Sequence, residues 1–150
     1  MFLLDSNLYI RAFTRDPDPS AFLAFHREAL PQLVLSAVVI HELLVGAQSS
    51  SHRRKVEGLV ETFRARRRIH TPTVSTWELA AEFDRELRTL GSYAGSLSQR
   101  SFANDLLLAA TARELGATII TSNLSDFELI GQVAPIKVVP PWPVSNRGHS

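Results

Sequence analysis

Asn104 to Phe127 reads NDLLLAATARELGATIITSNLSDF, an order that few folds accommodate. Leu106, Ala109, Ala110 and Ala112 recur at helical intervals, which predicts a helix opened by Asp105. Gly116 is placed to close it, because glycine accepts the left-handed conformation that ends many helices. Thr118-Ile119-Ile120-Thr121 then has the length and β-branched content of a short buried strand. Asp126 follows five residues later, on an expected turn. Helix, strand and acidic turn are half of a β/α unit. They put one carboxylate at a helix start and another beyond a strand's carboxyl end, the edge where open α/β sheets bind ligands.

Other short apolar runs stop at polar residues in the same manner. Phe2-Leu3-Leu4 ends at Asp5, with Ser6 and Asn7 next, and is expected to be the central strand. A helix from near Ser6 to Phe13 precedes the turn Asp16-Pro17-Asp18-Pro19, since proline fixes φ and restrains its predecessor. Ser20 is placed to cap a second helix, which Pro31 ends. Leu33-Val34-Leu35 is the next strand, and Ser36 caps a helix with Val39, Ile40, Leu43 and Leu44 that closes near Gly46. Glu42 lies on that helix. After the polar hinge Ser49-Ser50-Ser51 comes a basic helix with an inward stripe of Val56, Leu59, Val60 and Phe63. A strand at Arg68 to His70 leads to Ser75-Thr76-Trp77-Glu78, which has the form of a capping box. The helix it opens carries Trp77, Leu79, Ala80, Phe83, Leu87 and Leu90 and stops at Gly91. Gly91 to Ser101 reads as a mobile loop and Ile136 to Val139 as the last strand. Residues 1–143 are expected to form a single domain and 144–150 a flexible tail.

Helices alternating with short apolar strands give a three-layer α/β/α fold, with a central, mostly parallel sheet of about four to five short strands. Right-handed crossovers then bring Asp5, Glu42, Asp105 and Asp126 to one edge. Unit charges ~4 Å apart repel by ~4 kcal/mol at an intermediate effective dielectric. A fold holds four such groups together only with a cation among them or with some of them protonated. All-oxygen ligands suit a hard divalent ion, Mg²⁺ or Mn²⁺. Taken singly, each acid has a plainer reading: Asp105 as a helix cap, Glu42 as a solvated helix residue, Asp126 as the cap of a turn before Phe127. His41 is expected to be structural or exposed, and His26, His52, His70 and His149 show no metal-ligand spacing.

Composition narrows the class. With no cysteine, disulfides and thiolate metal sites are excluded, and a reducing cytoplasm is the expected location. No apolar run approaches membrane-spanning length. Net charge is +1, but Arg53, Arg54, Lys55, Arg64, Arg66, Arg67 and Arg68 face only Glu57 and Glu61 within one stretch, a local +5 that leaves −4 for the rest. Arginine outnumbers lysine 14 to 2, which favours bidentate phosphate contacts. That stretch is a candidate RNA-binding surface, its plain alternative being a solvated helix face.

Four blocks together carry a family likeness: Leu4 to Asn7 (LDSN), Ser36 to Ala47 (SAVVIHELLVGA), Asn104 to Ala112 (NDLLLAATA) and Thr121 to Phe127 (TSNLSDF). In order and spacing the chain resembles the PIN-domain nucleases, and within them the VapC-type toxins of toxin–antitoxin pairs. The resemblance places the family's acidic site on Asp5, Glu42, Asp105 and Asp126, and its small polar residues on Asn7, Thr121 and Asn123. It implies Mg²⁺- or Mn²⁺-dependent cleavage of RNA, a homodimer, and neutralisation by a cognate antitoxin. Asp5 and Asp105 are the expected direct ligands. Glu42 would act through water, and Asp126 would bind a second ion or orient water. Asn7, Thr121 and Asn123 would orient the ligands. Leftover apolar residues (Leu8, Phe13, Phe22, Phe25) are candidates for a dimer face or an antitoxin groove.

Two other functions compete with this reading. An aspartyl-phosphate phosphatase or receiver domain also has an early strand-end Asp. The phosphatase form needs a second acid where Asn7 stands, and both forms need a lysine that neither Lys55 nor Lys137 is placed to be. A non-catalytic RNA- or protein-binding module on the same scaffold would use the arginine-rich helix and has no need of four acids.

Overall fold

Five short strands make the middle layer, and their order dictates how the helices divide between its faces. The computed structural model describes residues 1–91 and 100–142. β1 (Phe2–Leu4) is central. β2 (Leu33–Ser36) and β3 (Ile69–His70) extend to one side, β4 (Thr118–Ile120) and β5 (Lys137–Val139) to the other. Every pairing is parallel, with Leu3 opposite Val34 on one flank and Ile119 on the other. The ladder runs past the strand ends, where the Asp5 amide donates to the Ile120 carbonyl at 3.0 Å and that of Thr121 to Val139 at 3.2 Å.

Parallel neighbours need crossovers, and right-handedness fixes the face each crossover takes. β1 connects to β2 through α1 (Ser6–Ile10), a π-helical continuation over Arg11–Arg15, and α2 (Ser20–Ala29). α3 (Ala37–Gly46) and α4 (Ser50–Ala65) connect β2 to β3. Both steps move outward in one direction, so these helices share a face. α5 (Val74–Leu90) and α6 (Arg100–Leu115) return the chain to β4, and α7 (Leu124–Gly131) leads to β5. These steps run the other way and cover the opposite face. The packing agrees: α1 lies on α3 and α4 on the π segment, while α6 packs against both α5 and α7. With both faces covered, Leu3, Leu33, Leu35, Ile119 and Ile120 are all buried, so the strands are apolar throughout rather than alternating.

Several local expectations are corrected. Ser20 does not cap α2; it is the helix's first residue, and its amide donates to Asp18 Oδ1 at 3.2 Å. α5 begins at Val74 because Thr73 and Thr76 cap each other's backbone amides, at 3.4 and 3.0 Å. Its buried stripe is Thr76, Ala80, Phe83 and Leu87, which leaves Trp77 and Leu90 facing outward. α6 starts at Arg100, not Asp105, because Phe102 is buried and anchors an extra turn. Arg100 and Ser101 are therefore helical; the rest of the expected loop, 92–99, and the expected tail lie outside the described residues. Asp126 sits in the first turn of α7 rather than on a free turn.

The leftover apolar residues are internal as well. Leu8, Phe22 and Phe25 are buried and Phe13 half-buried. Tyr9 meets Phe22 edge-on at 5.6 Å between ring centroids, and Phe22 stacks on His26 at 5.4 Å. Trp142 closes the group over Phe25 at 5.1 Å. His26 in turn meets Phe63 of α4 edge-on at 5.8 Å, so the rings weld α1 and α2 to α4 within one chain.

Candidate active site

The strand order 3-2-1-4-5 reverses direction between β1 and β4. A crevice opens outside the carboxyl ends at such a switch point. Asp5 stands at the end of β1 and caps α1, its Oδ1 accepting from the Ser6 amide at 2.8 Å. Thr121 stands at the end of β4 and donates its hydroxyl to Asp5 Oδ2 at 2.8 Å. The same hydroxyl accepts from the Asn123 amide at 2.9 Å and from Asn7 Nδ2 at 3.4 Å. Asn123 Nδ2 donates to Asp126 Oδ2 at 2.9 Å. Asn7, Thr121 and Asn123 thus join two of the acids into one hydrogen-bonded edge.

The other two acids arrive from helices. Ser36 caps α3, accepting from the Val38 amide at 3.1 Å, and so sets the direction of the helix that carries Glu42. Hydrogen bonds from Asn104 and Ser6 hold the Glu42 carboxylate. Asp105 projects from the second turn of α6 and is buried, its Oδ2 without a hydrogen-bond partner. Ser6 and Asn104 were not singled out from the sequence. Their signal was position, since each directly adjoins an acid in a block that was.

Electrostatics show how far these groups oppose one another. Burial pushes the Asp105 carboxyl up, and the charges of Asp5, Asp126 and Glu42 carry it to about 9. Glu42 is raised by burial first and by Asp5 second, against its hydrogen bonds from Asn104 and Ser6. Asp5 is raised by burial, against the bonds from Thr121 and Ser6. Among the described residues, no three His, Asp or Glu side chains are drawn to the spacing of a closed ligand set. The acids form an open ring of like charge, as mutual repulsion dictates. Such a ring can hold a proton or take up a cation.

The basic stretch is divided. Arg53 and Arg54 are exposed near the start of α4, and Lys55 donates to the Phe13 carbonyl at 3.3 Å. Arg64 is paired with Glu61 at 2.8 Å. Arg68 immediately precedes β3 and bonds the Pro31 carbonyl just before β2. Parallel strands begin at the amino edge, so Arg66, Arg67 and Arg68 lie at the opposite end of the sheet from the acids. His41 is exposed, His26 and His52 sit among the aromatic rings, and His149 is outside the described residues.

A family profile described as PIN domain matches residues 2–131. The tRNA(fMet)-specific endonuclease VapC of Shigella flexneri is 26% identical over 134 residues, which is 87% of this chain and 92% of that protein. Ribonuclease VapC2 of Rickettsia felis is 26% identical over 133 residues, with the same shares covered. Among solved structures, VapBC2 from Rickettsia felis bound to a DNA fragment from its promoter superposes with a TM-score of 0.68 at 22% identity, covering 94% of this chain and 98% of that one. FitAB bound to an IR36 DNA fragment superposes at 0.70 and 21%, covering 98% and 99%. At those identities the structural likeness establishes the fold.

Proposed function

The chain belongs to the PIN domain family, and from that premise we propose that it is a Mg²⁺- or Mn²⁺-dependent endoribonuclease, a VapC-type toxin held in check by a cognate antitoxin. The observation that carries this reading is Asp105: a buried carboxyl surrounded by three others, with one oxygen unpartnered. A fold gains nothing in stability from such a residue, so its presence fits a chemical task. Nuclease relatives that span nearly the whole chain give the same direction.

Asp5, Glu42, Asp105 and Asp126 would hold the ion, since an all-oxygen set suits a hard divalent cation. When bound, such an ion supplies Lewis acidity toward a phosphoryl oxygen and acidifies the attacking water. The chain's own residues do the positioning. Thr121 and the Ser6 amide fix both oxygens of Asp5, Asn123 fixes Asp126, and Asn104 with Ser6 fixes Glu42. Arg53, Arg54 and Lys55 would meet RNA phosphates; Arg64, Arg66, Arg67 and Arg68 would reach only an RNA long enough to wrap to the amino edge.

Partnership with an antitoxin rests on the likeness to VapBC and FitAB complexes, and a homodimer on the family resemblance. Among the described residues no helix is long and apolar enough to cross a membrane. A cysteine-free chain fits the reducing cytoplasm, where its RNA substrate would be.

The test is cleavage of RNA by the purified chain with Mg²⁺, with Mn²⁺ or with EDTA. Metal-dependent cutting is expected, with losses beyond ~100-fold in Asp5→Asn and in Asp105→Asn, since loss of a supporting partner alone costs up to about that much. RNA binding with no metal-dependent cutting by the wild type would instead establish a binding module.

A further inference from the structure

Trp77 is 58% exposed near the start of α5, an unusual position for so large an apolar side chain. It forms one wall of a cavity of about 400 Å³. Ala37, Val38, Pro72 and Leu107 add apolar walls, and His41, Thr71 and Asn104 supply the polar groups. Thr71 and Pro72 directly follow the last residue of β3, so the cavity opens at the carboxyl edge, beside the acids. Asn104 belongs to both places: it hydrogen-bonds Glu42 and lines the cavity.

We propose that this cavity is a nucleobase subsite, in which Trp77 stacks on an unpaired RNA base next to the scissile phosphate. The proposal rests on the ribonuclease reading and deepens it. Among the described residues no Lys, Arg, Asp or Glu lines the cavity, so none of them selects a phosphate or a carboxylate there. The lining suits a flat, neutral ring with a polar edge: apolar walls and one indole for the ring face, an imidazole, a hydroxyl and an amide for the edge. Proteins that read single-stranded RNA use this combination, stacking for affinity and edge hydrogen bonds for selectivity. The Asn104 link ties occupancy of the subsite to the position of Glu42. A base seated on Trp77 would therefore align its neighbouring phosphate with the acids, as orientation effects in catalysis require.

The experiment uses short single-stranded oligoadenylate and oligouridylate, intact or with one base removed beside the cut. In an Asp105→Asn, Trp142→Phe background, cleavage is blocked and Trp77 is the sole indole of the chain's two. Its emission is expected to be quenched as RNA binds. In the otherwise wild-type enzyme, Trp77→Ala is expected to raise KM roughly 5- to 100-fold, the range for loss of one stacked base, and Trp77→Phe to raise it less. Removing the base should cost the wild type a similar factor and cost Trp77→Ala almost nothing, the signature of a direct partner. The subsite is overturned by an unchanged KM, by an equal penalty for base removal in both proteins, or by a Trp77→Ala chain that sediments as a smaller species than the wild type. The last result would place Trp77 between two copies of the chain. If RNA quenches Trp77 while the wild type cuts nothing, the ribonuclease reading fails and the base site stands.

Discussion

Thr121 spends everything its hydroxyl has: one proton given to Asp5, two lone pairs taken by Asn7 and Asn123. It is also fully buried. Thr121→Val keeps the shape but strands a carboxylate oxygen, the Asn123 backbone amide and the Asn7 side-chain amide. Thermal melts are expected to show a loss of about 1–3 kcal/mol, the usual penalty for a buried polar group left unpaired. Cleavage should fall ~10- to 100-fold, as when a ligand's supporting partner is removed, and Thr121→Ser should recover most of both. His26 makes a second, independent case. Burial among the rings lowers it from 6.5 to about 4, and its Nε2 shares a 3.2 Å hydrogen bond with the buried Tyr9 hydroxyl. The folded state therefore binds this proton less readily than the unfolded one. Its contribution is full above pH 6.5 and is lost as pH falls from there to about 4. The loss is on the order of 3 kcal/mol. Urea titrations between those pH values should show the decline, and His26→Phe should flatten it.

α4 ends where Arg67 takes a left-handed conformation, φ 56°. The amide of Arg67 donates to the Arg64 carbonyl at 3.0 Å and that of Arg68 to Phe63 at 2.9 Å, a Schellman ending that ordinarily carries glycine. Arg67→Gly is expected to stabilise the chain by ~0.5–1 kcal/mol, since an L side chain is strained in that region. For a domain this size that is a rise in Tm of about 2 °C, measurable by calorimetry; an unchanged or lower Tm would contradict it. Where a glycine does sit at such an ending, at Gly91 (φ 70°) and Gly116 (φ 65°), the helix stop was legible in the sequence. At Arg67 no residue signal existed. The start of α6 was hidden for another reason: Asp105 is a good cap, and only the burial of Phe102 shows that the helix begins upstream.

Across the whole molecule, the four acids come from α1's cap, α3, α6 and α7, so their repulsion acts against the assembled fold rather than any one helix. A cation that binds only the folded chain stabilises it by mass action, ~2.7 kcal/mol at a hundredfold excess over its Kd. Added Mn²⁺ is expected to raise the Tm of the wild type by several degrees. Asp105→Asn should melt higher than the metal-free wild type, because a buried carboxyl opposed by three others is gone, and Mn²⁺ should no longer move it as far. A variant that melts lower without metal would show that the acids do not oppose each other.

The alternation of helices with short apolar runs, the parallel sheet and the ends at Gly91 and Gly116 were readable from residue order, because periodicity and turn chemistry act over a few residues. The right-handed crossover rule then sufficed to send β1, β2 and β4 to a common carboxyl edge. Which surfaces are covered is a different kind of fact. Phe22 and Phe25 go inside because Tyr9, Phe2 and Trp142 close over them, and Trp77 stays outside because α6 packs on the neighbouring stripe of α5. Asn104 reaches Glu42 only once α3 and α6, far apart in sequence, meet at that edge. Burial and partnership are sums over distant neighbours, and no local pattern contains them.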